Sequence, residues 1–191
     1  MDSSKVLKWN VKCGIKIMIW STILILLDQV TKILARIYLK DQPSFVLIDG
    51  VFELHYLENP YAAFSLGKGL TSVFLIVVLI LTVLFSAFLI YLAFRLPSEK
   101  RFWFVRLLVI LFLAGALGNF IDRVRFHYVV DFFYFKLINF PIFNVADIYV
   151  VAGAILFVAS FLFRSSVYEE LFPSKKKKKS DPSDSDPDHS S

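Results

Sequence analysis

LTSVFLIVVLILTVLFSAFLIYLAF, Leu70 to Phe94, contains no charged side chain. A hydrocarbon core about 30 Å thick takes roughly 20 apolar residues of helix to cross, and a helix satisfies its own backbone polar groups where water is absent. The run therefore reads as a transmembrane helix. Three further stretches match it in length and apolarity: about Ile17 to Tyr38, interrupted by Asp28, Lys32 and Arg36; about Phe102 to Ile121, with Arg106 near its start; and the residues following Asp147 as far as Phe163. Composition agrees, since 57% of the 191 residues are hydrophobic, only 19% are charged and 21 are Phe. That balance excludes an ordinary water-soluble domain.

The expected fold is an all-α membrane protein of four transmembrane helices with a small β-hairpin or sheet outside the bilayer. Residues 1–16 form a cytoplasmic N-terminal segment, 17–163 the membrane domain with outer loops at about 39–69 and 122–146, and 164–191 a cytoplasmic tail. Orientation follows from basic residues: 14 of the 21 lysines and arginines fall on the side holding both termini, leaving 7 on the other. By the positive-inside rule the termini face the cytoplasm. The first span follows a basic stretch as a signal peptide would, but it is too long and lacks a small-x-small cleavage site, so it is read as retained.

In the first outer loop, Asp49-Gly50 supplies a turn between two β-rich runs, and Phe52, Leu54 and Tyr56 alternate with Glu53 and His55, which predicts a hairpin. The second, RVRFHYVVDFFYFKLINFPIF, is too aromatic for a solvated linker and reads as a segment at headgroup level, touching lipid or a lipidic ligand. The tail from Pro173 has nothing apolar to bury and is expected to be disordered, its lysine run resting against anionic lipid. Cys13 is alone, so it forms no internal disulfide and reads mainly as a small apolar residue. No internal repeat is evident.

Ionisable side chains are costly in a membrane and usually mark function, on the order of 2.5–3.5 kcal/mol each near a helix centre. Asp28 and Lys32 stand one helical turn apart and can neutralise each other. In AGALGNFIDR, Gly115 and Gly118 allow a neighbouring helix to come close, while Asn119, Asp122 and Arg123 share a face and can form a hydrogen-bonded network. Asn144 and Asp147 flank the start of the fourth helix, where free N–H groups favour anions and Asn144 can serve as the N-cap. Asp131, between Val129-Val130 and Phe132-Phe133, has no capping or surface role. Two carboxylates brought together at an apolar boundary cannot both ionise comfortably; one keeps its proton and the other stays charged. Such a pair can split an amide with water. No G-x-S-x-G elbow and no H-E-x-x-H motif is present, which leaves serine and zinc chemistry without support.

Four blocks in this order, LDQVTK at Leu27 to Lys32, NPYAAFS at Asn59 to Ser65, GALGNFIDR with the following VVDF at Gly115 to Phe132, and FNVAD at Phe143 to Asp147, resemble lipoprotein signal peptidase (signal peptidase II), the bacterial aspartic membrane protease family. The resemblance runs from about Ile17 to Phe163. It implies that Asp131 and Asp147 are the catalytic pair and that Asp28, Lys32, Asn59, Asn119, Asp122, Arg123 and Asn144 line or support the site. It also implies diacylglyceryl-modified prolipoproteins as substrates, cut before the lipidated cysteine, in the bacterial inner membrane. No cofactor and no metal are implied, and no nucleic-acid partner is expected. Oligomeric state is left open. One departure stands out: Tyr61 occupies a position where the family usually has glycine, which alters the shape of the outer cradle. Two readings from other classes compete, a proton-coupled carrier using the same acids and a scaffold whose polar pairs only lock helix packing.

Overall fold

The computed structural model describes residues 10–60, 71–163 and 165–171. The reading of Tyr61 lies outside the described residues, as does the tail from Pro173. Among the described residues four helices are long and apolar enough to span a membrane. They are α1 (Val11–Tyr38), α2 (Thr71–Arg95), α3 (Trp103–Phe126) and α4 (Val145–Phe163). Three strands, β1 (Phe45–Ile48), β2 (Phe52–Asn59) and β3 (Val129–Phe135), form one antiparallel sheet in the order β1-β2-β3.

Two helix ends differ from the sequence expectation. Helix α1 starts at Val11, inside the expected cytoplasmic segment, because the Asn10 side chain accepts the Cys13 N–H and caps the first turn. Helix α3 runs on past Ile121 to Phe126 and stops where His127 adopts a left-handed conformation, φ 64°. Its extra turn opens with Asp122, which is buried and paired with Lys32 and the Val130 N–H.

The expected hairpin is present. Gly50 takes φ +67° in the turn, and the Val51 N–H closes it onto the Ile48 carbonyl at 3.0 Å. The alternation is only partly kept, since Glu53 is 4% exposed and accepts a hydrogen bond from Lys136 Nζ at 2.6 Å. The second outer loop is corrected more substantially. Its VVDFFYF stretch is a true strand, β3, pairing with the length of β2 from Phe52↔Phe135 to Asn59↔Val129. Its branched and aromatic residues fit a pleated surface buried on both sides. The reading of that loop by aromatic content alone missed the sheet.

The tail also begins differently from the expectation that it starts at residue 164. Helix α5 (Ser165–Leu171) folds back on the bundle, with Leu171 fully buried in the apolar core that also holds Phe102, Phe104 and Leu113. Tyr168 lies against the rings of Phe104, Phe157 and Phe161 and bonds Ser160 Oγ at 2.5 Å. Cys13 is buried in the same core, in keeping with a packing residue.

Close approach of α3 and α4 depends on small residues. A methyl group at Gly115 would lie 2.7 Å from the Ala146 carbonyl oxygen and 2.6 Å from Val150 Cγ2, and one at Gly118 would lie 2.6 Å from Asp28 Oδ2. The polar ends of three helices can meet only because these positions lack a Cβ. Gly115→Ala is therefore expected to force α3 and α4 apart and cost about 1–3 kcal/mol, read as a lower melting temperature of the detergent-solubilised protein. Gly153→Ala, whose added methyl meets only the Phe112 ring edge at 3.2 Å or beyond, should cost less.

Candidate active site

The aspartates of β3 and α4 come together because the chain between them is pinned to the sheet. Phe143 exchanges backbone hydrogen bonds with Phe133, its N–H reaching the Phe133 carbonyl at 3.0 Å while its carbonyl accepts from Phe132 at 3.1 Å and Phe133 at 2.8 Å. Residue 144 is thereby laid beside residue 131. Asn144, fully buried, then acts as the N-cap of α4: its Oδ1 accepts the Asp147 N–H at 3.1 Å, and Asp147 Oδ2 accepts the Asn144 N–H at 3.0 Å. This reciprocal cap satisfies two N–H groups that a helix start would otherwise leave open.

With its oxygen held by the cap, the Asn144 amide can only donate from Nδ2. It does so to Asp131 Oδ1 at 2.6 Å and to Asn119 Oδ1 at 3.0 Å. Asn119 Nδ2 in turn donates to Asp147 Oδ1 at 2.8 Å. The second oxygen of Asp131 accepts from Asn59 Nδ2, on β2, at 2.8 Å. Asp131 and Asp147 are thus joined through two amides, and every carboxylate oxygen receives an N–H. Asp131 is 2% exposed. Asp147 is partly open.

Behind the pair lies a second polar layer built around one ammonium. Lys32 Nζ is 3.0 Å from Asp28 Oδ2 and 3.2 Å from Asp122 Oδ2, and donates to Asn119 Oδ1 at 2.8 Å. An ammonium has no acceptor, so it turns the Asn119 oxygen toward itself and its NH₂ toward Asp147. The two supporting carboxylates each hold the backbone one residue before a member of the pair. Asp28 Oδ1 accepts the Ala146 N–H at 2.9 Å, and Asp122 Oδ2 accepts the Val130 N–H at 3.0 Å.

All nine residues singled out by sequence converge at this end of the bundle, with one change of partnership. The network expected among Asn119, Asp122 and Arg123 does not close, because Asn119 and Asp122 both turn to Lys32. The Arg123 side chain makes no hydrogen bond or ion pair among the described residues; its positive charge lies within electrostatic reach of Asp147, Asp131 and Asp122. Sequence reading also passed over Gln29. Its Nε2 donates to Asp28 Oδ2 at 3.2 Å, the Gly118 carbonyl at 3.1 Å and Asp122 Oδ1 at 3.2 Å, tying α1 to α3. The signal was available, since an amide inside a membrane span needs partners.

Burial pushes the Asp131 carboxyl up to about 7, and the negative charge of Asp147 adds to the effect, while the Asn59 and Asn144 amides and Lys32 oppose it. A protonated carboxyl facing a second carboxylate can donate to one oxygen of a substrate while its partner accepts from another, as general acid and base.

A four-span bundle carrying such a carboxylate pair beneath a small sheet is a membrane-embedded enzyme in its construction. Comparison with known proteins gives the family. The family model described as signal peptidase (SPase) II matches residues 20–163. The lipoprotein signal peptidase of Clostridioides difficile (strain 630) is 41% identical over 144 residues, 75% of this chain and 93% of that protein. That of Caldanaerobacter subterraneus subsp. tengcongensis is 40% identical over the same shares. A bacterial membrane enzyme solved by the in meso method at 2.3 Å resolution superposes with a TM-score of 0.67 at 30% identity, covering 90% of this chain and 97% of that one. The chain belongs to the signal peptidase II family of aspartic proteases.

A carboxyl raised in the folded protein binds its proton more tightly there than in the unfolded chain. The stability it contributes is full below the ordinary value of 3.8 and is lost as pH rises through about 7. The melting temperature of the detergent-solubilised protein should therefore fall between about pH 4 and pH 7, and Asp131→Asn should flatten that slope. An unchanged slope in the variant would show that Asp131 does not titrate there.

Proposed function

We propose that this protein removes the signal peptide from diacylglyceryl-modified prolipoproteins, cutting before the lipidated cysteine, with Asp131 and Asp147 as the catalytic pair. The observation that carries the reading is the amide-bridged pairing of a deeply buried Asp131 with a partly open Asp147 at one end of the bundle. Membership of the signal peptidase II family supports the substrate class.

In the reaction, Asp147 takes a proton from water as the water oxygen bonds the scissile carbonyl carbon, and Asp131 gives its proton to the carbonyl oxygen. Collapse of the resulting diol returns a proton to Asp131, while the C–N bond breaks and the proton held by Asp147 passes to the leaving amine. The pair ends as it began. Asp131 starts as the acid because, with a value near 7, it holds a proton through much of the neutral range, whereas Asp147 supplies the negative charge facing it. Asn59, Asn119 and Asn144 hold the two carboxyls in place, and Asp28, Lys32 and Asp122 hold the backbone that carries them. Arg123 offers positive charge beside both acids.

The same reading puts the site at the extracytoplasmic face of a bacterial inner membrane, with both termini cytoplasmic. It is supported by the excess of basic residues at the opposite end. The substrate's acyl chains can then stay in the bilayer while its amide reaches the acids. Leu137 and Ile138, 69% and 68% exposed beyond β3, suit a surface resting in lipid headgroups.

In a processing assay with a lipidated precursor, Asp131→Asn and Asp147→Asn are each expected to slow cleavage by at least about 100-fold while the protein still folds. Near-normal cleavage by either variant overturns the pairing. A carrier would instead lose proton uptake with processing intact, and a scaffold would show no cleavage to lose. A membrane-impermeant thiol reagent on intact cells, in a Cys13→Ala background, is expected to label Lys68→Cys but not Ser98→Cys; the reverse pattern inverts the topology.

A further inference from the structure

A cleft of about 280 Å³ opens between α1 and α3 at the end of the bundle away from the aspartates. Lys16 lies twelve residues before Asp28 on α1, roughly 18 Å along the helix at 1.5 Å per residue. The lining is mixed. Lys16, Ser98 and Arg106 give it polar groups, and Ile17, Leu107, Ile110, Trp20 and Trp103 give it apolar ones. The two indoles are 57% and 50% exposed.

No carboxylate among the described residues neutralises the two cations of the lining. Among the described residues neither Lys16 nor Arg106 has an ion-pair partner, and the nearby Glu99 carboxylate is taken by Arg101 at 2.8 Å. Arg106 is nevertheless held in place, since its Nη1 donates to the Pro97 carbonyl at 2.8 Å and the Glu99 carbonyl at 2.9 Å. A fixed guanidinium and an exposed ammonium in a cleft whose other lining is largely apolar fit a group with negative charge at one end and hydrocarbon at the other.

We propose that this cleft binds one anionic phospholipid, its phosphate against Lys16 and Arg106 and one acyl chain along Trp20 and Ile110. Basic pockets between transmembrane helices bind anionic head groups on the same principle. A free phosphate would leave the apolar lining uncovered, and a zwitterionic lipid would leave part of the positive charge unmatched. The cleft shares no residue with the carboxylate site, so the proposal stands apart from the catalytic reading.

The test is native mass spectrometry of the delipidated full chain, titrated with phosphatidylglycerol or with phosphatidylcholine of the same acyl chains. One phosphatidylglycerol should be retained about tenfold more strongly than phosphatidylcholine. Lys16→Gln should weaken its retention about fivefold, the worth of one basic residue near a lipid surface. Trp20→Ala should weaken both lipids alike. Lys12→Gln, an exposed cation on α1 that does not line the cleft, should leave retention unchanged, and Asp131→Asn should keep it while stopping precursor cleavage. Equal retention of the two lipids overturns the proposal. So does equal weakening by Lys12→Gln and Lys16→Gln, which would indicate diffuse attraction. A several-fold gain in binding on deleting residues 1–9 also overturns it, by making the protein's own N-terminus the occupant.

Discussion

One buried ammonium organises the polar end of this molecule. Lys32, 2% exposed, faces Asp28 and Asp122, 0% and 1% exposed, and turns the Asn119 amide toward Asp147. Removing three charges from water is expensive, and such a cluster does not by itself make a protein more stable than packed hydrocarbon would. What it provides is definition. Each supporting carboxylate has one oxygen on Lys32 and the other, or the same, on a backbone N–H immediately before a member of the acid pair. The two acids come from a strand and a helix start, yet both are referred to one point on α1.

Neutral amides surround the acids, Asn119 and Asn144 from the side of that charge cluster and Asn59 from β2. Asn59, Asn119 and Asn144 donate to the pair without adding a full positive charge. A lysine in their place would pull the nearby acid firmly toward its ionised form. Amides fix the positions of both acids, while burial still keeps a proton on Asp131 near neutral pH. Asn144 shows how closely fold and chemistry are joined, because the N–H bonds that cap α4 also aim its NH₂ at Asp131.

Packing and polarity are divided along the bundle's length. At the end carrying α5, Leu171, Phe102, Phe104 and Leu113 form an apolar core. At the other end, Gly115 and Gly118 bring helices close enough for Asp28 to reach the start of α4. Helix α2 contributes little polar chemistry. It adds apolar surface and packs mainly on α3 and α1.

Much of this was legible along the chain, because membrane thickness sets a length and intramembrane charge is costly. Those two constraints by themselves determined four spans and drew attention to Asp28, Lys32, Asn119, Asp122, Asn144 and Asp147. The hairpin at Asp49-Gly50 was readable too, since a turn there calls for positive φ. Tertiary structure alone decided that VVDFFYF is a strand rather than an interfacial segment, because its partner β2 is some 70 residues away in the chain. It decided that Arg123 stands apart from the network Asn119 and Asp122 join, and that Gln29 belongs to it, since a shared helix face shows which side chains can meet but not which neighbour competes for them. Asp131 is the clearest case: the sequence marked it as out of place, but its proton depends on the burial and the facing carboxylate that only the folded chain supplies.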